Sequence, residues 1–381
     1  MGYKKRAYTV LIACFIAVLL LPAFGILYEK ENTALIARME NRTINPKPHS
    51  VFATKDFFNE FQNWFEDRLL ERNNLIQLWA NLNGKLFHVL ISTEVCMGKD
   101  GYLYSPFFLI DEMADREQKL EQLSCMQKIC DNYKTRFVFN MVPHAEWMLG
   151  EQLLERHRPA DIKKLEKELE RDLQKRGIDY CIFGQKMLLQ PLYERKNMYY
   201  KDDLHWNSKG AFFGAKELLR HLKLNKIIDS ENIYEIEVKV KAGFYTYKIG
   251  WEPLEYISKM PWSNDFVKNF YIETHIGDRI IQGEIENGDQ KGEVIIINRK
   301  ASNNVTVLLI GDSFFGALKK YLMQDIGTIV FSHNMDVLKP KTNIDLERMI
   351  QLYKPEIVVF EKTGLGFYRD SYQSIFSRWK L

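Results

Sequence analysis

Apolar positions along this chain follow a helical rhythm first and then alternate between strand-like runs and helical stripes. From Phe57 through Phe61, Trp64, Phe65 and Leu69 they recur at helical spacing, which predicts one or two amphipathic helices over residues 55–90. Arg136-Phe137-Val138-Phe139-Asn140-Met141-Val142 reads as a strand. Leu165, Leu169 and Leu173 form a helical stripe that Gly177 terminates, and Tyr180-Cys181-Ile182-Phe183 reads as a second strand. A helix is expected from Ser208 to Leu222. After it come a buried strand, Val305 to Ile310, another at Thr328 to Phe331, a helix carrying Leu346, Met349, Ile350 and Tyr353, and a last strand at Glu356 to Phe360. Strands separated by helices predict an α/β, doubly wound, mainly parallel sheet that binds ligands at its C-terminal strand ends. Residues 228–304 break the alternation: Ile233 to Val240 alternates apolar with polar, and Glu286-Asn287-Gly288-Asp289 is a turn signal. They predict a β-rich antiparallel insertion, either a lid or a structural flap.

The N-terminus carries a different pattern. Lys4-Lys5-Arg6 precedes an uncharged run from Ala7 to Tyr28, which Glu29-Lys30-Glu31 ends. Spanning a bilayer takes about 20 apolar residues, and this run is long enough. A basic flank before it favours a cytoplasmic N-terminus, with everything after residue 30 on the outer side of the membrane. A cleaved signal peptide is the competing reading, but the run exceeds a usual h-region and no clear small-x-small cleavage site follows. The expected organisation is therefore a stub and transmembrane anchor over residues 1–30, a helical linker over 31–95, and one large domain over 96–381 that contains the insertion.

Composition narrows the choice of partners. Of 381 residues 46% are hydrophobic, enough for a substantial core. The net charge of +3, from 53 basic and 50 acidic residues, is too balanced to imply a nucleic-acid partner. Five cysteines do not form the framework of a small secreted fold. Cys14 falls in the apolar run; Cys96, Cys125, Cys130 and Cys181 are expected as buried free thiols, although an exterior location permits disulfides.

Two motifs carry the candidate chemistry. Gly311-Asp312-Ser313-Phe314-Phe315 follows the Val305–Ile310 strand, and Asp203-Leu204-His205-Trp206-Asn207 precedes the Ser208–Leu222 helix. Taken alone, the first is a common turn tripeptide, and the second is a helix approach in which Asn207 or Ser208 caps. Together they supply a serine, a histidine and a carboxylate. Serine Oγ is a poor nucleophile at neutral pH; it needs an imidazole to take its proton and an acid to hold that ring. A serine on a strand-to-helix turn is also exposed, beside N–H groups able to bind an oxyanion. Asp202, Asp203, His205 and Asp312 include metal-ligand types, but their spacing matches no His-Glu-x-x-His, paired Cys-x-x-Cys or EF-hand pattern, so a metal site is kept only as an alternative and none is assigned.

These motifs resemble those of the membrane-associated polysaccharide O-acetyltransferases of the alginate type, whose catalytic domain is similar to an SGNH hydrolase. Glu40-Asn41-Arg42, Phe65-Glu66-Asp67-Arg68, Gly98 to Tyr104 and Val142-Pro143-His144 resemble further landmarks in the same order. The resemblance implies Ser313 as nucleophile, His205 as base and Asp203 as orienting acid. It implies a membrane-anchored enzyme that moves an acetyl group through an acetyl-serine onto hydroxyls of an exported polysaccharide. The implied partners are that polymer and a multi-pass membrane acyltransferase that exports acetyl equivalents. No acetyl-coenzyme A motif is visible and no cofactor is expected. His144, following a strand end, is a candidate substrate contact, although relatives often carry lysine there. Glu361 and Arg369, after the last strand, either bind glycan or pair as an ion pair. Two rival functions share the sequence: a carbohydrate acetylesterase with the same triad, and a non-catalytic glycan-binding component of an assembly complex.

Overall fold

The computed structural model describes residues 6, 8–17, 43–87, 91, 95–105, 112–153, 161–226, 228–229, 233–249, 251–263, 272–276, 279–282, 294–333, 344–376 and 379–380. The chain divides into two compact units, residues 1–97 with 243–253 and residues 98–242 with 254–381.

In the first unit, helix α1 (Lys55–Glu66) starts where the Thr54 side chain accepts the Phe57 N–H. Its apolar spacing brings Phe61 over both Phe57 and Phe65, with ring centroids 6.0 and 5.9 Å apart. Helix α2 (Arg72–Ala80) runs on into a π-helical turn at Asn81–Leu86. These are the helices the periodicity predicts. Of the apolar run 7–28, residues 8–17 are helical and the remainder lies outside the described residues. Among the described residues no helix is long and apolar enough to cross a membrane. The turn signal at 286–289 also lies outside them.

The second unit is built on α3 (Arg116–Asn132), β1 (Arg136–Val142), α4 (Ile162–Lys175), β2 (Tyr180–Ile182), α5 (Ser208–Leu222), β3 (Ile233–Lys241), β4 (Glu255–Ser263), β5 (Ile272–Ile276), β6 (Arg279–Gln282), β7 (Val294–Asn298), β8 (Asn303–Gly311), α6 (Phe315–Leu322), β9 (Ile326–His333), α7 (Leu346–Tyr353), β10 (Ile357–Thr363) and α8 (Gly364–Arg369). Its sheet has eight strands in the order β2-β1-β10-β8-β9-β7-β5-β6. The first five are parallel. Central strands of such a sheet are covered on both faces, which is why β8 and β10 read as continuous apolar runs: Val307 to Ile310 and Val358 to Phe360 are 0% exposed. Each such side chain contributes roughly 1.5–3 kcal/mol by leaving water.

The structure corrects the predicted insertion. Only its first half is a separate antiparallel ribbon, β3 with β4, in register from Ile233 opposite Ser263 to Lys241 opposite Glu255. Its second half joins the main sheet: β7 pairs antiparallel with β9, and β5 and β6 follow outward. Without β7 the parallel sheet would end on β9 with a row of unpaired N–H and C=O groups. The alternating burial of Val294–Asn298 fits a strand that caps such an edge. The sheet is therefore mixed.

All five cysteines are free thiols in the structure. At the C-terminal end of β10 the apolar run gives way to Glu361, Lys362 and Thr363, all three still buried.

Candidate active site

The turn that carries Ser313 is fixed by its own aspartate. Asp312 Oδ1 accepts the Phe314 N–H at 3.0 Å, and Oδ2 accepts the Thr363 N–H from the end of β10 at 3.1 Å. The first bond bends the chain after β8 and the second ties that bend to the neighbouring strand. Ser313, between them, is exposed. Of the helix N-terminal N–H groups, those of Phe314, Phe315 and Gly316 are engaged, with Asp312 Oδ1, Asp312 O and Ser313 O. This narrows the expectation of a general helix-terminus anion site. The Ser313 N–H alone in this turn makes no hydrogen bond within the described residues, and it is the donor open to an oxyanion.

The histidine is held from three directions. Its Nε2 lies 2.7 Å from Ser313 Oγ and its Nδ1 lies 2.6 Å from Asp203 Oδ1. The same Asp203 oxygen accepts the His205 backbone N–H at 2.8 Å. A carboxylate two residues before the histidine thus fixes both its backbone and its ring, with Nδ1 as donor and Nε2 as acceptor from the serine hydroxyl. Phe314 packs against the His205 ring at 4.8 Å and against the His144 ring at 5.3 Å.

Trp206 anchors the whole segment. It is 1% exposed, donates Nε1–H to the Phe314 carbonyl at 3.1 Å, and so links the histidine motif to the serine turn. Its ring fits because α5 offers glycines one turn apart: a Cβ at Gly210 would lie 2.7 Å from Trp206 Cβ, and one at Gly214 would lie 2.6 Å from the far end of its ring. Asn207 caps α5, its side chain accepting the Lys209 and Gly210 N–H groups. Asp202 turns the other way. Its carboxylate accepts the Leu254 N–H at 2.8 Å and the Tyr256 hydroxyl, which fastens β4 to the motif. Burial raises the Asp202 carboxyl above the usual range.

The remaining candidates are placed as follows. His144 is 6% exposed, with Nδ1 2.9 Å from Glu146, whose other oxygen accepts the Ser105 N–H at 3.0 Å. It abuts the site through Phe314. Glu361 is 0% exposed beneath the turn that carries Ser313, where its Oε2 accepts the Asp312 N–H at 3.0 Å. It is not available to a glycan, which corrects its expected role as a substrate contact. Arg369 does not reach Glu361 as an ion-pair partner; it pairs with Asp370 at 2.8 Å. Among the described residues no group of three or more His, Cys, Asp or Glu is arranged to hold a metal ion.

Sequence reasoning placed Asp312 and Phe314 in the serine motif without giving them roles, and it did not place Glu361 beneath that turn. Only Gly311 signalled Glu361, because a Cβ there would lie 2.5 Å from Glu361 Oε2.

Residues 95–242 match the family model described as the SGNH hydrolase-like domain of the acetyltransferase AlgX. Among solved structures, PatB1 of Bacillus cereus is 16% identical with a TM-score of 0.53, over 74% of this chain and 99% of that one. A second PatB1 structure, with a sulfonyl adduct, is also 16% identical and has a TM-score of 0.51 over the same shares. A DHHW family protein from Eubacterium siraeum is 12% identical with a TM-score of 0.51, over 74% of this chain and 94% of that one. At these identities the likeness is one of fold. No curated protein sequence matches the chain.

Proposed function

We propose, from the premise that residues 95–242 carry an SGNH hydrolase-like domain of the AlgX acetyltransferase type, that this protein is an O-acetyltransferase acting on polysaccharide hydroxyls. The observation that carries the reading is the hydrogen-bonded chain from Asp203 through His205 to Ser313, at 2.6 and 2.7 Å. In the first step His205 Nε2 takes the Ser313 hydroxyl proton as Oγ attacks the donor's acetyl carbonyl. The Ser313 N–H meets the developing oxyanion, and His205 returns the proton to the departing group. The product is an acetyl-serine. In the second step His205 takes the proton of a sugar hydroxyl, whose oxygen attacks the acetyl carbonyl, and Ser313 Oγ leaves and regains a proton from His205. Asp203 steadies the imidazolium that forms in each step. The chain is anchored by its N-terminal run, with the domain outside the cytoplasm, and a multi-pass membrane acyltransferase supplies acetyl groups.

The test is intact mass of the detergent-solubilised full chain after exposure to an activated acetyl ester, with and without candidate polysaccharides. We expect one acetyl adduct that is absent in Ser313→Ala and that moves to the polymer. An adduct released only to water identifies an acetylesterase. Absence of any Ser313-dependent adduct leaves a glycan-binding protein and refutes the enzymatic reading.

A further inference from the structure

Beneath the nucleophile turn lies a buried carboxyl group that the two acyl-transfer steps do not use. Glu361 is 0% exposed on β10, between β1 and β8. Its Oε2 accepts the N–H of Asp312, the residue before the nucleophile, at 3.0 Å. The same oxygen lies so close to the backbone of residue 311 that a Cβ there would stand 2.5 Å from it. Its Oε1 has no hydrogen-bond partner, and neither has the side-chain oxygen or nitrogen of Asn140. Asn140 is the register partner of Glu361 on β1 and is likewise 0% exposed.

Three unpartnered polar atoms therefore sit at one level of two paired strands. An ionised carboxylate there would be costly, because a fully buried charge with an oxygen that lacks a hydrogen-bond partner is among the most expensive groups to bury. A carboxylic acid has a hydroxyl to donate, either to the Asn140 amide oxygen or to a water shared with it. The charged groups that bear on Glu361 are Asp312, across the turn, and Lys362, next on its own strand; from β1 it meets the neutral Asn140. Asp312 is already committed as acceptor to the Phe314 and Thr363 N–H groups.

We propose that Glu361 is a positioning residue that supports the nucleophile turn as an un-ionised acid, keeping Ser313 aligned on His205 only while it holds its proton. Ionisation would set a second carboxylate against that of Asp312 under one turn. The rigid strands cannot yield, so the turn carrying Ser313 moves. Burial, with Asp312 adding to it, holds the Glu361 proton well above the usual carboxyl range. The inference rests on Ser313 being the nucleophile of the proposed function.

The experiment follows the rate at which a sulfonyl fluoride labels Ser313 in the full chain, by intact mass across a pH series. It compares wild type with Glu361→Gln and Glu361→Ala, and infrared spectra are taken of the first two. Gln keeps an acceptor for the Asp312 N–H and cannot ionise. Its rate should stay within about threefold of wild type at neutral pH, while Ala, which lets the turn shift, loses roughly 10- to 100-fold. Wild type should lose reactivity on the alkaline side and Gln should not. The wild-type-minus-Gln difference spectrum at neutral pH should show a protonated-carboxyl stretch, which the Glu166 carboxyl, common to both proteins, does not contribute. A Gln variant as slow as Ala, an alkaline loss shared by wild type and Gln, or a missing acid band would each overturn the proposal. Failure of the proposed function shows itself separately, as wild-type Ser313 that is not labelled. In that case the acid band still decides the protonation of Glu361.

Discussion

At the scale of single residues, the site turns on one oxygen doing two jobs. Asp203 Oδ1 accepts both the backbone N–H and the ring Nδ1–H of His205. An amide in its place would keep the size but present either its carbonyl or its NH2 to that pair, and only the carboxylate stabilises a protonated ring. Asp203→Asn is therefore expected to lower the rate of acetyl-serine formation by roughly 10³- to 10⁴-fold with an unchanged thermal unfolding midpoint, as measured by single-turnover intact mass. The serine, histidine and aspartate were legible as candidates because the chemistry needs particular residue types, with Asp203 and His205 two residues apart in one motif and Ser313 on a strand-to-helix turn of another. Glu361 was read as either a glycan contact or an ion-pair partner because it follows an apolar run. Its burial depends on β10 being a central strand, and nothing in the residues around it states that.

Among the elements, α4 shows how a buried acid couples packing to pH. Glu166 is 1% exposed on the apolar side of this helix, and its Oε2 accepts the Gln185 N–H at 2.9 Å. Gly184 is small enough to admit the carboxyl; a Cβ there would meet Glu166 Oε1 at 2.0 Å. Burial pushes the Glu166 carboxyl up to about 7 from an ordinary value of 4.5. A raised acid favours the folded state while it is protonated, so its contribution is full below the ordinary value and is lost as pH rises through about 7. Glu166→Gln should then leave stability near that of wild type in mild acid and exceed it by roughly 1–3 kcal/mol at about pH 8, as read from denaturant melts. The reverse trend would show that the carboxylate finds a counter-charge.

Element identity was legible where length and periodicity agreed. Helix α5 was read with its bounds, and β1, β8 and β10 were read with their directions implied by the helices between them. The second half of the insertion was not, because an alternating strand pairs as well with its own hairpin as with the edge of another sheet. Only β9, waiting with an uncovered edge, decided that β7 would join it.

For the whole molecule, the N-terminal run bears on where it works. The run from Ala7 to Tyr28 carries no charge and follows a basic cluster, which together argue for an anchor and an exterior domain. The full chain is expected to stay with the membrane fraction through an alkaline carbonate wash. Protease added outside intact spheroplasts should digest everything beyond the run. Release by the wash would remove the anchor, and protection from protease would reverse the orientation. The near-neutral balance of 53 basic and 50 acidic residues leaves attraction to a charged polymer to local surfaces, which the overall composition does not describe.

By itself the sequence determined most of the helices and the parallel strands, the α/β class and the candidate trio Asp203, His205 and Ser313. Those follow from local rules: side-chain periodicity, turn chemistry and the few groups able to activate a serine. Tertiary structure decided which strands are neighbours. That choice put Asn140 beside Glu361 and Glu361 beneath Asp312, drew β7 onto β9, and left the Ser313 N–H as the open donor of its turn. Register and burial are properties of pairs of segments far apart along the chain, so no window of sequence contains them.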